Sequence, residues 1–99
     1  IRNFAAAPLE RKMLWIGAMK EMGETSRREH EALVTLITQY EWSEAILVGK
    51  EFSDVAKDYR HFEDANAAAT YIREHRPEQA SILIKGSRGS RMELLLDAL

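Results

Sequence analysis

Seven consecutive residues near the end of the chain, Lys85-Gly86-Ser87-Arg88-Gly89-Ser90-Arg91, bring together two glycines, two serines and three cations. Ile82-Leu83-Ile84 before them reads as a buried strand, and Met92-Glu93 after them as the start of a helix. A strand-to-helix junction of this composition presents backbone N–H groups and positive charge to an anion. Lys85, Gly86, Ser87 and Arg88 are the candidate binding residues, because a guanidinium offers a bidentate fork to a carboxylate or a phosphate. The same glycines would also serve a tight turn with solvated arginines, and composition alone leaves both readings open. The G-x-x-x-x-G-K-[ST] order of a phosphate loop is absent, and so is G-x-G-x-x-G.

A second candidate segment is Gly17-Ala18-Met19-Lys20-Glu21-Met22-Gly23-Glu24. Its backbone, with Lys20 or Glu21, could line a site, or Met19 and Met22 could plug a core. His30 lies beside an apolar stripe and suits a hydrogen-bonded packing role. His61 and His75 share no ligand spacing with it, so no metal site is expected from this chain alone. The chain has no cysteine, which excludes disulfides, thiolate metal sites and cysteine nucleophiles. No nucleophile–base pair stands out. Trp15 and Trp42 read as packing residues.

The elements that would position these residues alternate. Lys12–Gly17 and Ala45–Gly49 are short continuous apolar runs ending in glycine, as in strands covered on both faces. Ser26 and Glu29 stand in capping-box register before a helix with Leu33, Leu36, Ile37 and Tyr40 on one stripe. Phe52, Val55 and Ala56 suggest a short helix, and Tyr59–Phe62 a brief strand. Asp64 caps a helix through Arg76, with Ala65, Ala68, Ala69 and Ile72 inward, and Pro77 stops it. Ser81–Lys85 is another strand. A last helix carries Met92, Leu95, Leu96 and Leu99, with Ser90 and Glu93 in capping-box register. The fold class this predicts is α/β: a three-layer, Rossmann-like domain with a mostly parallel sheet and helices on both faces. Ligands of such sheets bind outside the carboxyl ends of the strands, where the segments from Gly17, Gly49 and Gly86 should meet.

Ninety-nine residues make one domain at most. Residues 1–10 read as a helix tail and linker, and 11–99 as the domain. The sequence opens mid-pattern without Met, which suggests a fragment of a longer protein. A net charge of −2 gives no general case for nucleic acid. No apolar run approaches the roughly 20 residues that span a bilayer, and no signal peptide is visible.

Two motifs together resemble the C-terminal domain of the Mur ligases. Met13-Leu14-Trp15-Ile16-Gly17-Ala18-Met19-Lys20-Glu21-Met22-Gly23-Glu24-Thr25-Ser26 with His30 is similar to an apolar strand followed by G-D-M-x-E-L-G-x-x-S-x-x-x-H. Lys85-Gly86-Ser87-Arg88 with Met92-Glu93 is similar to K-G-S-R-x-x-x-M-E. The resemblance runs from Arg11 to Leu99 and departs at Ala18, where the family usually has Asp. It is nearest to the member that adds D-alanyl-D-alanine to UDP-N-acetylmuramoyl-tripeptide in peptidoglycan synthesis.

That resemblance implies an ATP-dependent, amide-forming ligase with Mg²⁺, both held mainly by a central domain outside this chain. The C-terminal domain would close over ATP and help position the incoming dipeptide. Lys85, Gly86, Ser87 and Arg88 would be substrate-binding; Gly17, Ala18 and Met19 would line the nucleotide side. His30 would anchor a loop or serve the site, and no catalytic residue is expected in this fragment, which would be inactive alone. The implied partners are the N-terminal and central domains of the same chain. The implied setting is the bacterial cytoplasm and the implied process cell-wall synthesis, with cell shape and division downstream. The reading that needs no resemblance is a stand-alone α/β binding or regulatory module for an anionic ligand.

Overall fold

A computed structural model describes residues 11–19, 26–56, 59–77, 79–86 and 90–99. Four strands form one parallel sheet in the order β3-β2-β1-β4. They are β1 (Lys12–Gly17), β2 (Glu44–Val48), β3 (Arg60–Phe62) and β4 (Ser81–Lys85). The helices among the described residues are α1 (Ser26–Ile37), α2 (Ala65–Glu74) and α3 (Glu93–Asp97), with a 3₁₀ turn at Lys50–Phe52. The predicted helix tail in residues 1–10 lies outside the described residues.

The apolar runs are strands because both of their faces are covered. Successive side chains of a strand point to opposite faces. Leu14 and Ile16 with Ala45 and Leu47 therefore meet Val34 and Ile37 of α1, together with Phe52, Val55 and Ala56. Trp15 with Ile46 and Val48 meets Ala65, Ala68, Ala69 and Ile72 of α2, and Met92, Leu95 and Ala98 at α3. Two cores on either side of one sheet make the three-layer α/β fold. The edge strand β4 is half-buried and contributes Leu83 to the first core, Ile82 and Ile84 to the second.

Several local expectations hold in detail. The Asp64 side chain caps α2 by accepting from the Ala67 amide at 2.8 Å, an interaction worth about 1 kcal/mol. Trp15 is fully buried, and Trp42 is half-buried with its indole N–H donated to the Ile37 carbonyl at 3.0 Å.

Other expectations are corrected. The buried stripe of α1 is His30, Val34 and Ile37, with Leu33 and Leu36 only half-buried. Tyr40 lies past the end of that helix, edge-on to Trp42. The Ser26 side chain of the expected capping box lies outside the described residues. The short helix expected after β2 is present as a 3₁₀ turn at Lys50–Phe52, with Phe52, Val55 and Ala56 buried. The last helix buries Met92, Leu95 and Ala98, whereas Leu96 is 59% and Leu99 46% exposed. It starts at Glu93 without a side-chain cap, so Ser90 and Glu93 form no capping box.

Candidate functional site

The strand order reverses at β1: the chain passes from β1 to β2 and β3 on one side, then returns to β4 on the other. In open α/β sheets the ligand crevice lies at such a switch point, outside the carboxyl ends of the strands. Gly17 ends β1 and Gly86 follows β4, and the two backbones touch there. A Cβ built on Gly86 would come within 3.1 Å of the Gly17 Cα. Both glycines also face Ser90 and Met92, since added Cβ atoms would lie 2.6 Å and 2.7 Å from the Met92 Cγ and closer to the Ser90 Oγ. The glycines are thus needed for close packing of the returning segment, whatever else they do. Ser90 sits against this seam, and Arg91 takes a left-handed φ of 55°. That conformation is uncommon for a non-glycine residue and interrupts helical geometry, so α3 starts only at Glu93. The helix amides that the sequence placed near Ser90 are therefore displaced from the junction.

The neighbouring segments meet just as closely. The ladder continues one residue past β1 and β2: the Ala18 amide donates to the Val48 carbonyl and the Gly49 amide to the Phe62 carbonyl, both at 2.8 Å. Gly49 has φ 125° and ψ 140°, a region open essentially to glycine. A Cβ there would lie 2.6 Å from the Ala18 Cβ. Ala18 is 5% exposed and packs in the first core, so this position serves the interior here.

His30 is fully buried, and its Nε2 accepts the Met19 amide at 3.1 Å. Its ring stands edge-on to Phe52, with centroids 4.8 Å apart at 88°, a favoured aromatic geometry. His61 of β3, set aside in the sequence as scattered, lies with its Nε2 2.7 Å from the Gly49 carbonyl oxygen. No spacing in the sequence signals this contact; it depends on a pairing register that sets His61 beside Leu47. His75 belongs elsewhere, capping α2 and stacked on Tyr71.

The structure thus gathers Gly17, Ala18, Met19, Gly86 and His30 at one end of the sheet, with Lys85 exposed beside them and paired in register with Ile16. Ser87 and Arg88, like Lys20 and Glu21, lie outside the described residues. Among the described residues no group of three or more His, Asp and Glu could hold a metal ion. No described helix is long and apolar enough to cross a membrane.

No family model matches the chain. Two curated proteins do, both UDP-N-acetylmuramoyl-tripeptide–D-alanyl-D-alanine ligases. The one from Borreliella burgdorferi is 27% identical over 94 residues, which is 88% of this chain and 20% of that protein. The one from Rickettsia prowazekii is 32% identical over 96 residues, 91% of this chain and 21% of that protein. Among solved structures, MurF from Acinetobacter baumannii superposes with a TM-score of 0.74 at 24% identity, over 88% of this chain and 21% of that one. MurF from Thermotoga maritima in complex with ADP gives 0.74 at 23% identity, over 98% of this chain and 23% of that one. At those identities the structures establish the fold. The chain spans about one fifth of the length of the relatives it matches. Its sequence and its fold point to the same enzyme: over about 90% of its length the chain is similar to one segment of MurF, the UDP-N-acetylmuramoyl-tripeptide–D-alanyl-D-alanine ligase.

Proposed function

We propose that this chain is the C-terminal domain of an ATP-dependent ligase that adds D-alanyl-D-alanine to UDP-N-acetylmuramoyl-tripeptide in bacterial peptidoglycan synthesis, in the cytoplasm. The observation that carries the reading is a two-fold match, in sequence and in fold, to about one fifth of such ligases. In this reading the N-terminal and central domains supply the phosphate loop, the UDP-sugar site and most of the contacts to ATP and Mg²⁺. ATP activates the substrate carboxylate as an acyl phosphate, and the dipeptide amine then attacks it.

The residues of this chain bind and orient. The Ala18–Met19 backbone, with Gly17 beneath it, faces the nucleotide. Lys85, with the Gly86 backbone, Ser87 and Arg88, meets the carboxylate or phosphates of the bound substrates. Positioning and preorganised charge of this kind are what a closing domain contributes to catalysis. The close-packed Gly17–Gly86 seam supports this reading because it fixes the base of the segment that carries Ser87 and Arg88.

Arg88→Ala in the full-length ligase tests it. kcat/KM should fall on the order of a hundredfold, as when a preorganised charged donor is lost, with the fold intact by circular dichroism. Wild-type turnover would remove Arg88 from the site. The 99-residue chain by itself is expected to show no ATP-dependent ligation, and robust activity from it would refute the division of labour.

A further inference from the structure

The two histidines at the carboxyl edge are used in opposite senses. The backbone groups just beyond the sheet ladder are the Met19 amide and the Gly49 carbonyl. An amide N–H only donates and a carbonyl only accepts. The His30 Nε2, taking the Met19 amide at 3.1 Å, must therefore carry a lone pair, and a neutral ring then holds its proton on Nδ1. The His61 Nε2, 2.7 Å from the Gly49 oxygen, must carry the proton. That oxygen also accepts the Phe52 amide at 3.1 Å, so both of its lone pairs are engaged. Phe52 in turn meets the His30 ring edge-on, and Gly49 lies against Ala18. A closed set of contacts thus runs His30–Met19–Ala18–Gly49–His61, with Phe52 bridging Gly49 back to His30.

We propose that His30 and His61 are positioning residues of this edge. They extend sheet-like order one peptide beyond β1 and β2, so that the Ala18–Met19 backbone meets its ligand already fixed. The proposal rests on the ligase reading for the identity of that ligand, ATP, and on this structure for the contacts.

The test uses the full-length ligase and two substitutions at each ring. Leu removes the polar atom at similar size, while Gln restores it: an acceptor oxygen at position 30, a donor N–H at position 61. The Leu variants should raise KM for ATP about tenfold, near the upper worth of one hydrogen bond, with kcat nearly constant. The Gln variants should recover most of that loss. A purely structural role would lower the melting temperature and leave KM unchanged in the folded enzyme, and that result would overturn the proposal.

Ring nitrogen spectra of histidine-labelled wild-type enzyme at neutral pH give a check that needs no variant. The His30 Nε2 should be unprotonated and the His61 Nε2 protonated; the reverse at either ring would also overturn it. If wild-type enzyme shows no ATP-dependent ligation, the ligase reading fails by itself. The ring protonation states would then decide the contact scheme alone.

Discussion

At the amino end of the sheet, side chains hold side chains. The Arg60 guanidinium lies over the Tyr71 ring, 4.4 Å from its centroid, and reaches Glu44 at 3.9 Å. The Tyr71 hydroxyl donates to the same Glu44 at 3.3 Å. At the carboxyl end, side chains hold backbone: His30 takes an amide, His61 meets a carbonyl, and Ser90 and Met92 pack on bare glycines. The amino end also has an open cleft of about 560 Å³ beside Tyr40, Trp42, Tyr59 and Arg60, yet much of its rim is spent on internal contacts. The difference is one of rigidity. Long side chains in mutual contact tolerate adjustment, whereas a main chain whose Ala18, Met19 and Gly49 amides and Gly49 carbonyl are each engaged holds one arrangement.

If that contrast is right, the largest losses come from the glycines. Gly49→Ala should destabilise the folded protein by about 3 kcal/mol, since it combines forbidden backbone geometry with a collision at Ala18. Urea denaturation of the protein and of its variant would read it. A cost below about 0.5 kcal/mol, the ordinary surface range, would break the contrast. Gly86→Ala should cost about 2 kcal/mol by overpacking against Ser90 and Met92. Adding Ser90→Gly should recover part of that, a coupling a double-mutant cycle measures directly. Additive costs would show that Ser90 does not fill the seam.

The amino end should yield less. Arg60→Ala is expected to cost under about 1 kcal/mol, because the pair with Glu44 is partly solvated. Smallest of all is a pH effect at Tyr71. Burial, first, and then the Glu44 carboxylate push its hydroxyl above the usual tyrosine range, against a lowering by Arg60. A raised acid favours the neutral form in the folded state. Its contribution is fully present below the unfolded value of about 10 and is lost as pH rises through the higher folded value. Subtracting the alkaline stability curve of Tyr71→Phe from that of the wild type should isolate this dependence; identical slopes would remove it.

Much of this architecture is legible in the residue pattern. Continuous apolar strands such as Leu14–Gly17 announce a sheet buried on both faces, and Asp64 announces its own helix. Convergence of the Gly17, Gly49 and Gly86 segments follows from parallel strands alone. Three features were not legible, for separate reasons. Helical spacing placed Leu96 and Leu99 inward, but the turns at this five-residue helix close from i to i+3, Leu95 to Met92 and Ala98 to Leu95, and a period near three brings Ala98 to the core in their place. Val34 is inward where the pattern points to Leu33, because an apolar stripe read from larger side chains can be rotated by one position. His61 and Gly49 are unrelated in spacing, and only strand register joins them.

The pairing of β1 with β4 sets Met13 beside Ile82 and Ile16 beside Lys85, contacts that span most of the chain. Such long-range pairings are slow to close, and during synthesis they wait until the final strand has emerged. Until then β1 presents one unpaired edge, a template for association with other chains. The Gly17–Gly86 seam is therefore the last part of the described sheet to mature, and a nascent chain stopped before Ser81 carries both an open edge and a seam that lacks one wall.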